Sequence, residues 1–331
     1  MKARHTSVEI SYNGTNVTTK LAEYKTEVKY TDPASGEADS LDVIVHDRQR
    51  KWITDWLPET GDTLAATIKA TEDGNTKSLP CGLFILDDFE FSGWPVQGTL
   101  SGVSVPADSS FRSTERTKNW ENVTIREIGK EIASRAGISL IWDVAGEPFT
   151  IQNIEQSSQT DCDFYMSLCE TYGLAMKVYT RKIVVYDREA YKKKAPVDTI
   201  NGTELLSWSW GRELHGTYTG GEYTYTDPNT EEEIKVTVGT GPRILKQSGK
   251  ADNRADAERK IRAAVNNANH GATKLSVSIM GNATFVASQC VTVAGVGRLA
   301  GKYYIDSIAH TVNGSGGYTM EMEMSLVEAA G

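Results

Sequence analysis

The chain has 331 residues, of which 39% are hydrophobic and 24% charged, with a formal net charge of −9. At roughly 150 residues per domain, that length predicts about two domains with enough buried surface for a core. The net charge is too small for the length to predict disorder. No run reaches the ~18 apolar residues of a membrane-spanning helix, and the acid excess argues against a nucleic-acid surface, which is basic.

Residues 1–105 read as mostly strand. Met1–Thr6 is charged and leads into no apolar run, so no secretory signal is expected. Tyr24–Thr31 and Leu41–His46 are rich in Val, Ile, Thr and Tyr, with the turn cluster Asp32-Pro33-Ala34-Ser35-Gly36 between them. Trp52 and Trp56 sit in a short segment ended by Pro58. Strands are then predicted over Thr63–Ala70, Leu83–Phe91 and Leu100–Val105, with breaks at Asp73-Gly74-Asn75, Gly93 and Pro95.

The period changes near residue 116. Ile125, Ile128, Ile132, Ala133 and Ala136 form one apolar helical stripe, with Asn122 or Thr124 to cap it and Gly137 to end it. Ile138–Trp142 follows as a strand. The unit then repeats. Thr160 or Asp161 caps a helix with Phe164, Leu168, Cys169 and Tyr172 on one face, Gly173 ends it, and strands Leu174–Tyr179 and Ile183–Tyr186 follow. The basic cluster Arg181, Lys182, Arg188, Lys192, Lys193 and Lys194 reads as a solvated hairpin and linker, with a docking patch as the alternative.

Strands return over Leu205–Trp210, Gly216–Thr226 and Ile234–Val238. A helix spans Asn253–Ala268, and further strands are predicted near Leu275–Met280, Cys290–Ala294, Lys302–His310 and Tyr318–Val327. The last alternates cleanly, with Tyr318, Met320, Met322, Met324 and Leu326 on one face. An echo links Glu27-x-x-Tyr30-Thr31-Asp32-Pro33-x-x-x-Glu37 with Glu222-x-x-Tyr225-Thr226-Asp227-Pro228-x-x-x-Glu232. It is either common turn chemistry or the trace of an internal duplication.

Motifs for chemistry are weak. Cys81, Cys162, Cys169 and Cys290 are too few and scattered for a disulfide scaffold or a zinc knuckle, which fits synthesis in a reducing cytoplasm. Gly295-Val296-Gly297-Arg298-Leu299-Ala300 has the letters of a dinucleotide fingerprint. The motif requires a following helix, and Gly301-Lys302-Tyr303-Tyr304-Ile305 reads as a strand, so a glycine-rich hairpin is expected. No phosphate-cradling loop and no nucleophile elbow occur. His310 is expected to end a strand and bond a turn. Asp87 and Asp88 are strand neighbours and should point to opposite faces, which rules out an acid–base pair. Asn13, Asn16, Asn122, Asn201, Asn282 and Asn313 head Asn-x-Ser/Thr triplets that read as turn chemistry. Trp94, Trp120, Trp208 and Trp210 lie at section edges; they read as ordinary core packing, with pins between domains or subunits as the alternative.

The order of these parts resembles the phage late control protein D family, the hub proteins of contractile-tail baseplates. Asp39-Ser40-Leu41-Asp42-Val43-Ile44-Val45, Trp52, Trp56, Leu57-Pro58 and Gly61-Asp62 carry the likeness first. Val103-x-Val105-Pro106-Ala107-Asp108, Phe111-Arg112 and Lys118-Asn119-Trp120-Glu121-Asn122 carry it into the helical section. Ala133-x-x-Ala136-Gly137, Asp163-Phe164, Leu168-Cys169 and Tyr172-Gly173-Leu174 continue it. Ala255-Asp256-Ala257-Glu258, Val291-Thr292-Val293-x-Gly295-Val296-Gly297, Gly301-Lys302-Tyr303-Tyr304-Ile305 and His310 complete it.

The resemblance implies an α+β, mainly β fold. A tube-like antiparallel β-barrel domain (1–115) and a second one (196–331, with an inserted helix over 253–268) would flank an α/β section (116–195). It implies a structural protein with no catalytic, cofactor-binding or metal-ligating residue to carry over. The expected assembly is a homotrimer that adapts a six-fold tail tube to a three-fold spike, in a virion or tail-like particle put together in the bacterial host cytoplasm. Tail tube and spike proteins are the expected partners, with the tape-measure protein and baseplate wedge beside them. No membrane and no sequence-specific nucleic acid is expected to bind. The rival expectations are a carbohydrate-binding β-module of a receptor-binding apparatus and a cell-wall hydrolase.

Overall fold

Alternating Val, Ile, Thr and Tyr build long strands, and the computed structural model is mainly β, with several sheets. It describes residues 4–104, 110–227, 230–314 and 317–329. The stretch Val105–Asp108 and Pro228, both singled out in the sequence, lie outside the described residues.

The first section contains β1 (His5–Tyr12), β2 (Thr15–Asn16), the short helix α1 (Thr18–Leu21), β3 (Lys25–Pro33), β4 (Ser40–His46), β5 (Thr63–Glu72), β6 (Asn75–Ser92) and β7 (Gln97–Val103). Strand β6 begins well before the expected Leu83. It runs through Pro80, which cannot donate to a ladder. A register shift between Ala66 and Thr67 of β5 lies opposite and absorbs the missing bond.

The middle section holds α2 (Ser110–Ser113), β8 (Glu115–Thr124), α3 (Ile125–Arg135), β9 (Ser139–Asp143), β10 (Thr150–Thr160), α4 (Asp161–Thr171), β11 (Leu174–Tyr179), β12 (Lys182–Asp187) and α5 (Arg188–Lys193). The two helix–Gly–strand units stand where the periodicity predicts them. Thr124 and Glu127 form a capping box on α3, Thr160 caps α4, and Gly137 and Gly173 take φ values of +65° and +74° after the helix ends. The antiparallel pair β8–β10 was not predicted. Its residues are mostly polar and exposed, so no alternation marks them. The basic cluster is also not a plain linker: Asp187 caps α5 within it.

The last section comprises β13 (Thr199–Asn201), β14 (Leu205–Arg212), β15 (Gly220–Thr226), β16 (Glu233–Gly239), β17 (Ile244–Ser248), α6 (Arg254–Asn269), β18 (Thr273–Met280), β19 (Cys290–Ala294), β20 (Gly301–Asn313) and β21 (Gly317–Ala329). Strands β15–β17 form a small separate sheet whose core, Tyr223, Tyr225, Val236 and Ile261, is closed by α6. The second half of the Tyr-Thr-Asp-Pro echo falls in β15 of this small sheet, while the first half falls in β3 of the main one. The echo therefore does not mark equivalent strands.

A duplication is present in the strand order instead. Among the described residues the main sheet runs β14-β18-β21-β20-β3-β4-β7-β6-β5-β1-β2, with β13 and β19 beside the first half of β20. Take β1, β3, β4, β5, β6 and β7 in chain order: their order in space is β3-β4-β7-β6-β5-β1. Take β13, β14, β18, β19, β20 and β21: their order in space is β14-β18-β21-β20-β19-β13. The two orders match strand for strand. Only the last pair differs in sense, β1–β5 being antiparallel and β13–β19 parallel.

Two of the irregularities match too, while those at Ala66/Thr67 and Lys302/Tyr303 belong to one unit each. The register shifts between Lys25 and Glu27 of β3, and between Leu205 and Ser207 of β14. It shifts between Leu86 and Asp88 of β6, and between Ile305 and Ser307 of β20. Leu86 exchanges backbone bonds with Gly61 and Asp62 at 2.8 and 2.7 Å, and Ile305 does the same with Ser288 and Gln289 at 2.9 Å each. Bulges are built features of a sheet, and their repetition at equivalent places shows one unit used twice.

Candidate assembly site: a sheet seam, a buried polar junction and two open edges

The two units meet edge to edge. The first half of β20 (301–304) pairs with β19, and the second half turns to β3, with Ala309 opposite Thr31, His310 opposite Tyr30 and Thr311 opposite Lys29. Every core-facing side chain along the central part of this seam is buried: Val28 and Tyr30 on one strand, Ile308 and His310 on the other. His310 therefore lies inside a strand. It does not end one, as its place in the sequence suggested. Its Nδ1 pairs with the Tyr318 hydroxyl at 2.8 Å, and burial pushes its pKa down to about 4, so the imidazole is neutral near pH 7.

Beside the seam, the turn from Asp32 to Asp39 ties all three sections together. Lys177 of β11 forms ion pairs with Asp32 and, at 3.0 Å, with Asp39. Asp32 also accepts the Ala287 backbone N–H at 2.8 Å, and Asp39 accepts the Tyr30 hydroxyl at 2.8 Å. Ala34 N–H donates to Asp306 O at 2.8 Å, while Ala34 O accepts the Tyr186 hydroxyl at 2.6 Å. Arg188, from the expected solvated cluster, reaches Ser35 and Asn267.

One amine thus faces two buried carboxylates. Burial raises the Asp39 pKa to about 6, against the pull of Lys177 and with the push of Asp32. Burial alone would lower the Lys177 amine. The two carboxylates outweigh it, and its pKa ends above the ordinary value. The arrangement locks three sections in one geometry; nothing in it presents a reacting group to solvent.

Among the described residues, two of the open strand edges are counterparts of the strands that meet at the seam. Strand β14 is the end of the sheet, and Asp88–Ser92 of β6 pair only with β7, because β5 stops at the bulge. Aromatic side chains gather at both. Trp208 is 55% exposed and Trp94 70%, while Phe89, Phe91 and Trp210 are half-buried. Trp120, grouped with them in the sequence, is a core residue stacked on Phe164. The bulge at Asp87 also breaks the strict alternation expected of Asp87 and Asp88, and both are exposed. The Gly295–Ala300 stretch makes a short helical turn, Gly297–Leu299, between the antiparallel strands β19 and β20, as a hairpin requires.

No family model matches the chain. The chain is 22% identical to the probable baseplate hub protein of Escherichia phage 186, over 96% of this chain and 93% of that one. Its sequence is similar to those of phage baseplate hub proteins. The likeness to hub proteins read from the sequence is borne out. Solved structures share its fold. A tail protein from Neisseria meningitidis superposes with a TM-score of 0.73 at 12% identity, over 97% of this chain and 96% of that one. An Escherichia coli component of the type VI secretion system, described as structurally similar to phage T4 tail proteins, gives 0.59 at 11% identity over 96% and 76%.

Proposed function

We propose that this chain is a structural baseplate hub of a contractile phage tail or tail-like injection particle. In this reading three copies form a ring, each giving two similar tube-like walls, so that a three-fold body offers six similar positions. The tail tube would dock on the six-fold-like side and the spike on the three-fold side. The tape-measure protein would meet the lumen, and the baseplate wedge the outside.

One observation carries the reading: the same strand order, with two bulges at equivalent places, occurs twice in the chain, and the two copies lie edge to edge. A symmetry mismatch of two to one is met by such a duplication, and closing a ring removes the exposed edges that otherwise invite aggregation. The baseplate hub name of the phage 186 relative supports it. The face of the main sheet away from the core carries Asp42, Ser101, Ser276, Ser278, Glu321 and Glu323. The same face also carries Lys29, opposite Asp42, and Lys274, so as a lumen wall it would be polar with charges of both signs.

The work of such a protein is assembly, with no bond made or broken. The exposed tryptophans also fit a sugar platform, but they flank unpaired backbone, which favours a strand as their partner. Native mass spectrometry of the chain, alone and co-expressed with a spike protein, tests the proposal. A species of three hub copies is expected. One hub copy per complex under both conditions overturns it.

A further inference from the structure

The seam inside the chain is a template for the contact between copies. Strand β20 joins β3 through the half that extends past its bulge. The counterpart of β20 is β6, and its half past the bulge, Asp88–Ser92, is open on that side among the described residues. The counterpart of β3 is β14, and its outer edge is also open. The same donor and acceptor edges are therefore satisfied once within the chain and left unsatisfied once.

We propose that Asp88–Ser92 of one copy pairs antiparallel with β14 of the next, in the register of the β20–β3 seam. The inference rests on the ring proposed above and says which edges close it. The register follows from the bulges. Ala309 opposite Thr31 becomes Glu90 opposite Gly211 of the neighbouring copy. His310 on Tyr30 becomes Phe91 on Trp210, and Thr311 opposite Lys29 becomes Ser92 opposite Ser209.

The side chains agree with this occupant. Core-facing positions at the inner seam hold Val28, Tyr30, Ile308 and His310, all buried. At the open edges the equivalent positions hold Trp208, Trp210, Phe89 and Phe91, none of them buried. Aromatic pairs across strands are among the stronger cross-strand contacts, and bare ones beside unpaired N–H and C=O groups are what a missing strand leaves behind. Because the two edges differ, the contact is head-to-tail, which gives a ring when the rotation closes, whereas a self-complementary patch would give a two-fold dimer.

The test is a pair of cysteines, Glu90→Cys with Gly211→Cys, in the full chain. Both positions are exposed, and a Cβ at Gly211 meets nothing within 4 Å, so neither change disturbs the monomer. Oxidation at protein concentrations that support the ring is expected to give a covalent trimer on a non-reducing gel, absent from either single variant. A second variant, Trp208→Glu, is expected to keep the circular dichroism of the parent and to lose assembly above one copy. A trimer by mass that gives no cross-link and survives Trp208→Glu overturns the edge pairing and leaves the hub reading standing. A parent chain that stays single with and without a spike protein overturns the hub reading, and the pairing falls with it.

Discussion

His310 and Tyr30 stack ring on ring across the seam, with centroids 5.9 Å apart and planes 15° from parallel. One residue comes from the second-last strand of the chain and the other from its beginning, and both are buried. The imidazole in this stack is neutral near pH 7. Burial holds the His310 pKa near 4, although Asp32 nearby pulls the other way. A depressed histidine pKa stabilises the folded state fully above the unfolded value near 6.5, and that contribution is lost as pH falls through about 4. The His310→Phe variant removes this titration and orphans the Tyr318 hydroxyl, at a cost of about 1–3 kcal/mol at pH 7. Urea unfolding at pH 7 and pH 5 should show the variant losing less stability than the parent over that interval.

Asp39 acts in the opposite sense. Its folded pKa, about 6, lies above the unfolded value of 3.8. Its contribution is fully present below pH 3.8 and is lost as pH rises through 6. An Asp39→Asn variant lacks that loss. Its stability relative to the parent should improve steadily between pH 4 and pH 7, and parallel unfolding curves across this range would contradict the charge state derived for the junction.

Lys177 holds the buried junction together, and removing one partner of such a group strands the others. Lys177→Met leaves two carboxylates facing each other out of water and should cost about 3–5 kcal/mol. Denaturant midpoints at pH 7 measure it. Because the junction joins all three sections, the variant should also admit proteolysis between them before global unfolding.

Gly129 tests the middle section. A Cβ there would lie 2.0 Å from the Tyr165 hydroxyl, which donates to Ile125 O at 3.2 Å. In a helix, alanine in place of glycine gains about 1 kcal/mol of propensity. Overpacking costs typically 1–3 kcal/mol, and the hydroxyl loses its acceptor besides. Gly129→Ala should therefore destabilise, and a raised melting temperature would contradict the packing of α3 on α4.

Much of this was legible in the sequence. Alternation located β4 and β21, and the caps and glycines around α3 and α4 marked both helix–strand units, because burial on one face leaves a period and helix ends need particular residues. The pair β8–β10 was not legible, since it is polar and mostly exposed. The His310 environment was hidden because its burial comes from β3, far away in the chain. The duplication was hidden for a related reason: it survives in strand order and bulges, while the one verbal echo, Tyr-Thr-Asp-Pro, falls on strands that are not counterparts. The tryptophans at section boundaries read as core or as pins between sections, and the sequence did not separate the two: Trp120 is core, while Trp94 and Trp208 are exposed.

The central claim is a ring of three duplicated units, and electron microscopy of particles from the purified chain, with a spike protein present, tests it most directly. The account predicts three-fold particles with an open centre and a wall of six similar segments. Compact single subunits bound to the spike without a ring, or a closed two-fold dimer, would contradict it.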